Sequence, residues 1–320
     1  VSDLLAVLLA GLVSSNTPVA VSNAVPEKTA IGVPTVDPND PIEKEFRKVE
    51  ADDDAAIEEI EGWAAAAATN VMAGNSNPQL TLQMRARDRL AEVKHNYEDF
   101  LQRHPDYVRA LLAYGSFLHQ SGDGDGALAQ WEKASKLAPN NPAVWNNLAD
   151  YWVDTNVRKA FEYYSKAIEL DPNQSVYYHN LAVCVYMYRT DAEDYWKISE
   201  AETFDKALAL YQKAMKLDPA NFVLASDYAE CFYGIKPLRL EDGLAAWNHC
   251  LQIAQSDKDR QGVYIHLARL NLALKRFDES QKALDAVTNK EYSVLKNKLA
   301  SNLKAAINQA FTNAPAQPAR

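Results

Sequence analysis

Basic charge is what this sequence most lacks. Its 320 residues carry 33 Lys and Arg against 43 Asp and Glu, a formal charge of -10 at neutral pH. Nonspecific binding to nucleic acid or to an anionic membrane surface needs a basic footprint, so neither is expected. Glycine is scarce at 11, while alanine and leucine abound, which favours helix over strand. Three cysteines occur, Cys184, Cys231 and Cys250, without a CxxC pair, so neither a zinc ribbon nor a thioredoxin-like redox site is indicated. Cys184 and Cys231 hold equivalent places in successive helices, where a disulfide is conceivable. Both lie among apolar residues, however, and read as buried thiols acting as small hydrophobes. No apolar run reaches the roughly 20 residues that a membrane-spanning helix takes.

The motifs of chemistry are missing as well. None of the six histidines stands in an HExxH or other ligand spacing, and there is no GxSxG or GxGxxG. Asp52, Asp53 and Asp54 point in three directions if helical, so they cannot converge on one cation, and they read as a solvated helix face. The glycine-rich stretch Ser121 to Gly126 lacks the GK[ST] ending of a phosphate loop and the distal Glu of a calcium loop, so it reads as a turn. No catalytic residue, metal or cofactor is therefore expected, and the chain is read as a non-enzyme.

Hydrophobic residues make up 48% and charged residues 24%, a balance that excludes disorder throughout. Leu4 to Val13 is a short apolar run followed by small residues at Ser22-Asn23-Ala24, which fits the core and cleavage site of a secretory signal over residues 1–24. That predicts a periplasmic or secreted protein. A Pro-rich linker follows at 25–40. Asp40-Pro41 then starts a helix, with an aspartate cap and proline in the first helical place. Residues 41–105 read as an acidic helix and a long second one whose first half is basic. These two are expected to pack antiparallel, with burial holding them and rim charges only orienting them.

From 106 to 290 one pattern repeats. In the stretch Asn141 to Pro172, Trp145, Leu148, Ala149 and Trp152 lie on one helical face. Ala160, Tyr164 and Ala167 lie on a second, and Asp171-Pro172 ends the unit. Such a pair cannot bury both apolar faces alone and needs copies on either side. The copies begin at Leu111, Tyr114, Gly115 and Leu118, with Ala127, Trp131 and Ala134 on the second helix. They continue at Tyr178, Leu181, Ala182 and Val185, with Ala207, Tyr211, Ala214 and the closing Pro219. Further copies stand at Ala225, Tyr228, Ala229 and Phe232, with Trp247, and at Tyr264, Leu267 and Ala268. Residues 189–203 interrupt the third copy, and their aromatics, Tyr195 and Trp196, read as a brace packed back on the repeat. Tyr292, Leu295, Leu299, Leu303, Ile307 and Ala310 line one face of a closing helix at 291–311. Residues 312–320 read as a disordered tail.

This pattern resembles the tetratricopeptide repeat (TPR), and the chain as a whole is similar to exported bacterial TPR proteins. The resemblance implies an all-α fold, a right-handed α-solenoid of about five helix pairs with a helical cap at each end. It also implies that the tryptophans Trp131, Trp145, Trp152 and Trp247 are core residues rather than a ligand-stacking row. It places the partner surface on the concave side, along the first helices. In this chain those positions are Leu112, Ser116, His119, Asn146, Asp150, Asp154, His179, Val183, Tyr186, Ser226, Glu230 and Tyr233. The basic residues with which some members clamp a terminal carboxylate are missing, since Leu112, Ser116 and Val176 stand in their places. The groove is mixed, polar-aromatic and mildly acidic, which suits a neutral or basic peptide. The expected function is thus a protein-interaction scaffold. A self-assembling structural protein or an accessory subunit of an envelope enzyme are the alternatives.

Overall fold

The computed structural model describes residues 37–72 and 78–312. The expected signal segment, most of the linker and nearly all of the tail lie outside the described residues. Among those described, the regular structure is helical, without strands. The chain divides into two compact units, one up to Tyr177 and one from Tyr178 onward.

The first unit contains α1 (Pro41–Met72), α2 (Pro78–Arg103), α3 (Val108–Gln120), α4 (Gly124–Leu137), α5 (Pro142–Trp152) and α6 (Val157–Leu170). Local chemistry sets their ends. Asp40 accepts from the Ile42 amide at 2.8 Å, and Asn141 accepts from Ala143 with Pro142 opening α5. Asp123 caps α4 inside the glycine-rich turn, where Gly122 takes a positive φ of 86° that a side chain would strain.

α1 and α2 run antiparallel, as the cross-links show. Arg89 binds Asp52 at 2.6 Å and Glu59 at 3.3 Å, and the Tyr97 hydroxyl donates to Asp53 at 2.8 Å. Of the three aspartates Asp54 is exposed as expected, whereas Asp53 is buried and Asp52 is part-buried, accepting also from Asn96. Charge reaches the core at Glu43 too, which is fully buried. It accepts from the Tyr107 hydroxyl, Arg47 and Arg109, and Arg109 reaches on to Glu50 at 2.8 Å. Arg109 also lies 5.0 Å over the Phe46 ring. These contacts tie α1 to the start of α3, so the electrostatic contribution is more than rim orientation.

In the helix pair α3–α4, Trp131 is 2% exposed and donates from Nε1 to the Leu112 carbonyl at 3.2 Å. Burying a ring of roughly 150–250 Å² contributes about 4–6 kcal/mol as an upper figure. Leu111, Gly115, Leu148, Ala149 and Tyr164 are buried in the same unit. Pro172 sits exposed in the turn after α6.

The second unit contains α7 (Ser175–Met187) from Tyr178 on, α8 (Arg189–Trp196), α9 (Glu200–Leu217), α10 (Phe222–Cys231), α11 (Leu240–Ile253), α12 (Asp257–Ala273), α13 (Phe277–Ala286) and α14 (Ser293–Thr312). Its core joins Ala182, Phe204, Tyr211, Phe232, Trp247 and Leu267. Leu181 and Ala268 are also buried, while Pro219 lies exposed in its turn. The insertion is no irregular excursion. It forms α8, which buries Ala192 and ends at Lys197 in the left-handed region, and a Ser199–Glu202 capping box restarts the chain as α9. Trp196 carries the Lys206 ammonium 4.3 Å over its ring, whereas Tyr195 is exposed. In the last pair the buried Ser280 is satisfied, since it donates to the Ala268 carbonyl at 2.9 Å. α14 covers Ile265, Leu284 and Val287 with Leu299, Leu303 and Ile307. Leu295 does not join them and stands 43% exposed.

Candidate functional site

The first helices of each pair bury one face against their second helices, and the residues left over form the candidate surface. In the first unit these belong to α3 and α5. Ser116 donates to the Leu112 carbonyl at 3.1 Å and accepts from Asn147 at 3.4 Å, linking the two helices. His119 and Asp154 are exposed. Asp150 accepts from the Tyr164 hydroxyl. Burial pushes its carboxyl up to about 7, with that hydrogen bond pulling the other way. Two expected partner residues need correcting. Leu112 is 5% exposed and Asn146 fully buried, so neither offers a side chain to a partner. Leu112 belongs to the apolar core of the first unit, and Asn146 donates to Asn147, which itself bonds Ser116 of α3.

The tryptophans divide as well. Trp131 and Trp247 are core residues, but Trp145 and Trp152 are only half-buried. Trp145 donates to the Pro139 carbonyl at 2.7 Å and carries the Lys166 ammonium 3.3 Å over its ring. Lys159 lies likewise 3.8 Å over Trp152.

In the second unit the leftover faces of α7, α10 and α12 are joined by polar links. His179 Nε2 meets Asp227 at 2.8 Å, and the Tyr186 hydroxyl donates to the Cys231 carbonyl at 3.2 Å. The Tyr233 hydroxyl meets His266 Nδ1 at 2.9 Å, and His266 stacks on Trp247 at 3.8 Å. Burial, aided by the Arg269 charge, pushes His266 down to about 4, so the ring is neutral near pH 7. Ser226 turns its hydroxyl to the Val223 carbonyl, and Val183 packs partly into the core. Glu230 and Arg269 are the exposed charges of the strip. Asp227, His266 and Arg269 escape a reading of spacing. Asp227 and His266 are recognised only through their contacts with His179 and Tyr233, and Arg269 through its place beside Tyr233.

The His179–Asp227 pair has the form of an acid–base couple, but among the described residues no activated nucleophile stands beside it. Burial pushes the Cys231 thiol up to about 12, far from a thiolate at neutral pH, and its Sγ donates to the Asp227 carbonyl at 3.3 Å. Cys184, Cys231 and Cys250 are buried thiols, and no disulfide joins them. Among the described residues no group of His, Cys, Asp and Glu is arranged to hold a metal ion. No described helix is long and apolar enough to cross a membrane.

The tetratricopeptide repeat family model matches residues 108–151, the segment containing α3, α4 and most of α5. No curated protein matches the chain. Among solved structures, one described as a functional characterization of Pseudomonas aeruginosa pilF is similar over 79% of this chain and 99% of its own, at 14% identity and a TM-score of 0.51. YrrB, described as a TPR protein with an unusual peptide-binding site, covers 64% of this chain with 97% of its own, at 12% identity and a TM-score of 0.48. TTC0263, a thermophilic TPR protein of Thermus thermophilus, covers 62% with 99% of its own, at 20% identity and a TM-score of 0.43. Residues 108–151 thus match the tetratricopeptide repeat, and the chain is all-α and of the solenoid class. A scaffold for protein interaction is the general role that such a fold supports.

Proposed function

We propose that this chain captures a polypeptide partner on the leftover faces of its first helices, without catalysing a reaction. The observation that carries the reading is the strip across α7, α10 and α12. His179–Asp227 and Tyr233–His266 lock three successive first helices side by side, and Glu230 and Arg269 remain exposed between them. A rigid row of aromatic and charged groups orders little on binding, which favours affinity. With Asp227 and Glu230 on one helix, the strip suits a partner segment that is neutral or basic. The apolar run Leu4 to Val13 supports export, with the partner met in the periplasm or outside the cell. Fractionation of cells expressing the full chain would place it there, and recovery in the cytoplasm alone would refute export.

The test is affinity capture from the native envelope fraction by three versions of the chain. The wild type is compared with Ser226→Arg plus Glu230→Arg, and with Lys213→Glu on the second helix α9 as a control. One protein should be retained by the wild type and the control and lost from the double variant. Equal recovery by all three would refute the assignment of the partner surface.

A further inference from the structure

The second unit also contains a cleft of about 400 Å³ between α9, α10 and α11, away from the strip of first-helix residues. Its apolar part is made by Leu208, Met215, Phe232 and Ala246, and its polar part by Gln212, Tyr228, Arg239, Asp242 and the His249 imidazole. Small-molecule sites usually lie between about 300 and 1,000 Å³ and combine an apolar lining with a few polar groups, as here.

The charges on this lining decide the sign of an occupant. Arg239 is already balanced, since its guanidinium binds Asp205 at 2.7 Å. Gln212 donates to the Tyr228 hydroxyl at 3.1 Å. Asp242, in the first turn of α11, pairs with no basic side chain among the described residues. The uncommitted formal charge at the cleft is therefore a carboxylate. The partly exposed Tyr228 ring, in edge contact with the buried Phe232 at 5.2 Å, offers further attraction to a cation. Apolar walls would take a hydrocarbon stem, and the carboxylate with the Tyr228 ring would take a positive head.

We propose that this cleft is a second binding site, which takes a small organic ammonium ion with an apolar stem. The site is independent of the polypeptide surface, because its lining residues belong to α9, α10, α11 and the caps Phe232 and Arg239, and exclude His179, Glu230, Tyr233 and His266.

The test is calorimetric titration of the full chain at pH 8 with phenethylamine, and with 2-phenylethanol and phenylacetate as neutral and anionic counterparts. The amine should bind saturably, the alcohol more weakly, and the acid not at all. Asp242→Asn should weaken the amine about fivefold, the size of a partly exposed ion pair, and leave the alcohol unchanged. Ala245→Trp, at an exposed position on the lining, should block amine and alcohol together while circular dichroism stays that of the wild type. Absence of amine binding, equal binding of acid and amine, or unchanged binding by Ala245→Trp would each overturn the proposal. If Ala245→Trp unfolds, Ala245→Leu replaces it under the same criterion.

Discussion

Trp131 lies against Gly115 so closely that a Cβ on the glycine would stand 2.2 Å from the indole Nε1. The same Nε1 donates to the Leu112 carbonyl, so the ring cannot retreat without giving up that bond. Gly115 is thus required for close approach, not for an unusual backbone angle. Gly115→Ala should lower stability by about 1–3 kcal/mol, less the fraction of a kcal/mol that alanine recovers in a helix. Chemical denaturation measures it, and an unchanged midpoint would contradict the packing.

Trp131 and Trp145 should respond differently to truncation. Trp131→Ala removes a fully packed ring and should cost about 3–5 kcal/mol. Trp145→Ala loses one hydrogen bond and a cation–ring contact at a half-buried place, for about 1–2 kcal/mol. Thermal and urea melts of the pair would check the order.

Two carboxylates of the first unit, Glu43 and Asp150, should bend its pH profile in opposite senses. Burial alone would raise Glu43, but Tyr107, Arg47 and Arg109 hold it down at about 2 from a usual 4.5. Its contribution is present above about pH 4.5 and fades as pH falls toward 2. Glu43→Gln should cost about 3 kcal/mol at pH 7, as one partner lost from a buried ion cluster, and progressively less in acid.

Asp150 has the opposite sign. Its folded carboxyl titrates at about 7 against a usual 3.8, so folding takes up a proton between those values. Stability from this group is lost as pH rises through about 7. Asp150→Asn should therefore be more stable than the wild type at pH 8 and equal to it at pH 4, by urea titration at both.

The helix pairs were legible because their cause is local. Leu111, Gly115, Leu148, Ala149 and Tyr164 recur at helical spacing, and caps such as Asn141-Pro142 stand beside the helices they start. The exceptions depend on partners far along the chain. Glu43 reads as one more surface acid until Tyr107 and Arg109 close over it, and Asp53 until Tyr97 does. Trp145 carries the family's spacing but its ring is only partly buried, under Lys166, because spacing gives a face and not a depth. Asn146 looked available for the same reason. Asp227 and His266 join the candidate strip through contacts between different first helices, which no single-helix periodicity contains.

Hydroxyl-radical footprinting of the chain, alone and with its captured partner, tests the central claim most directly. The account predicts reduced oxidation of Tyr186, Tyr233 and His266 on binding, with Met215 and Tyr195 unchanged. Protection confined to Met215 and Tyr195, with the first-helix side chains still open to oxidation, would contradict it.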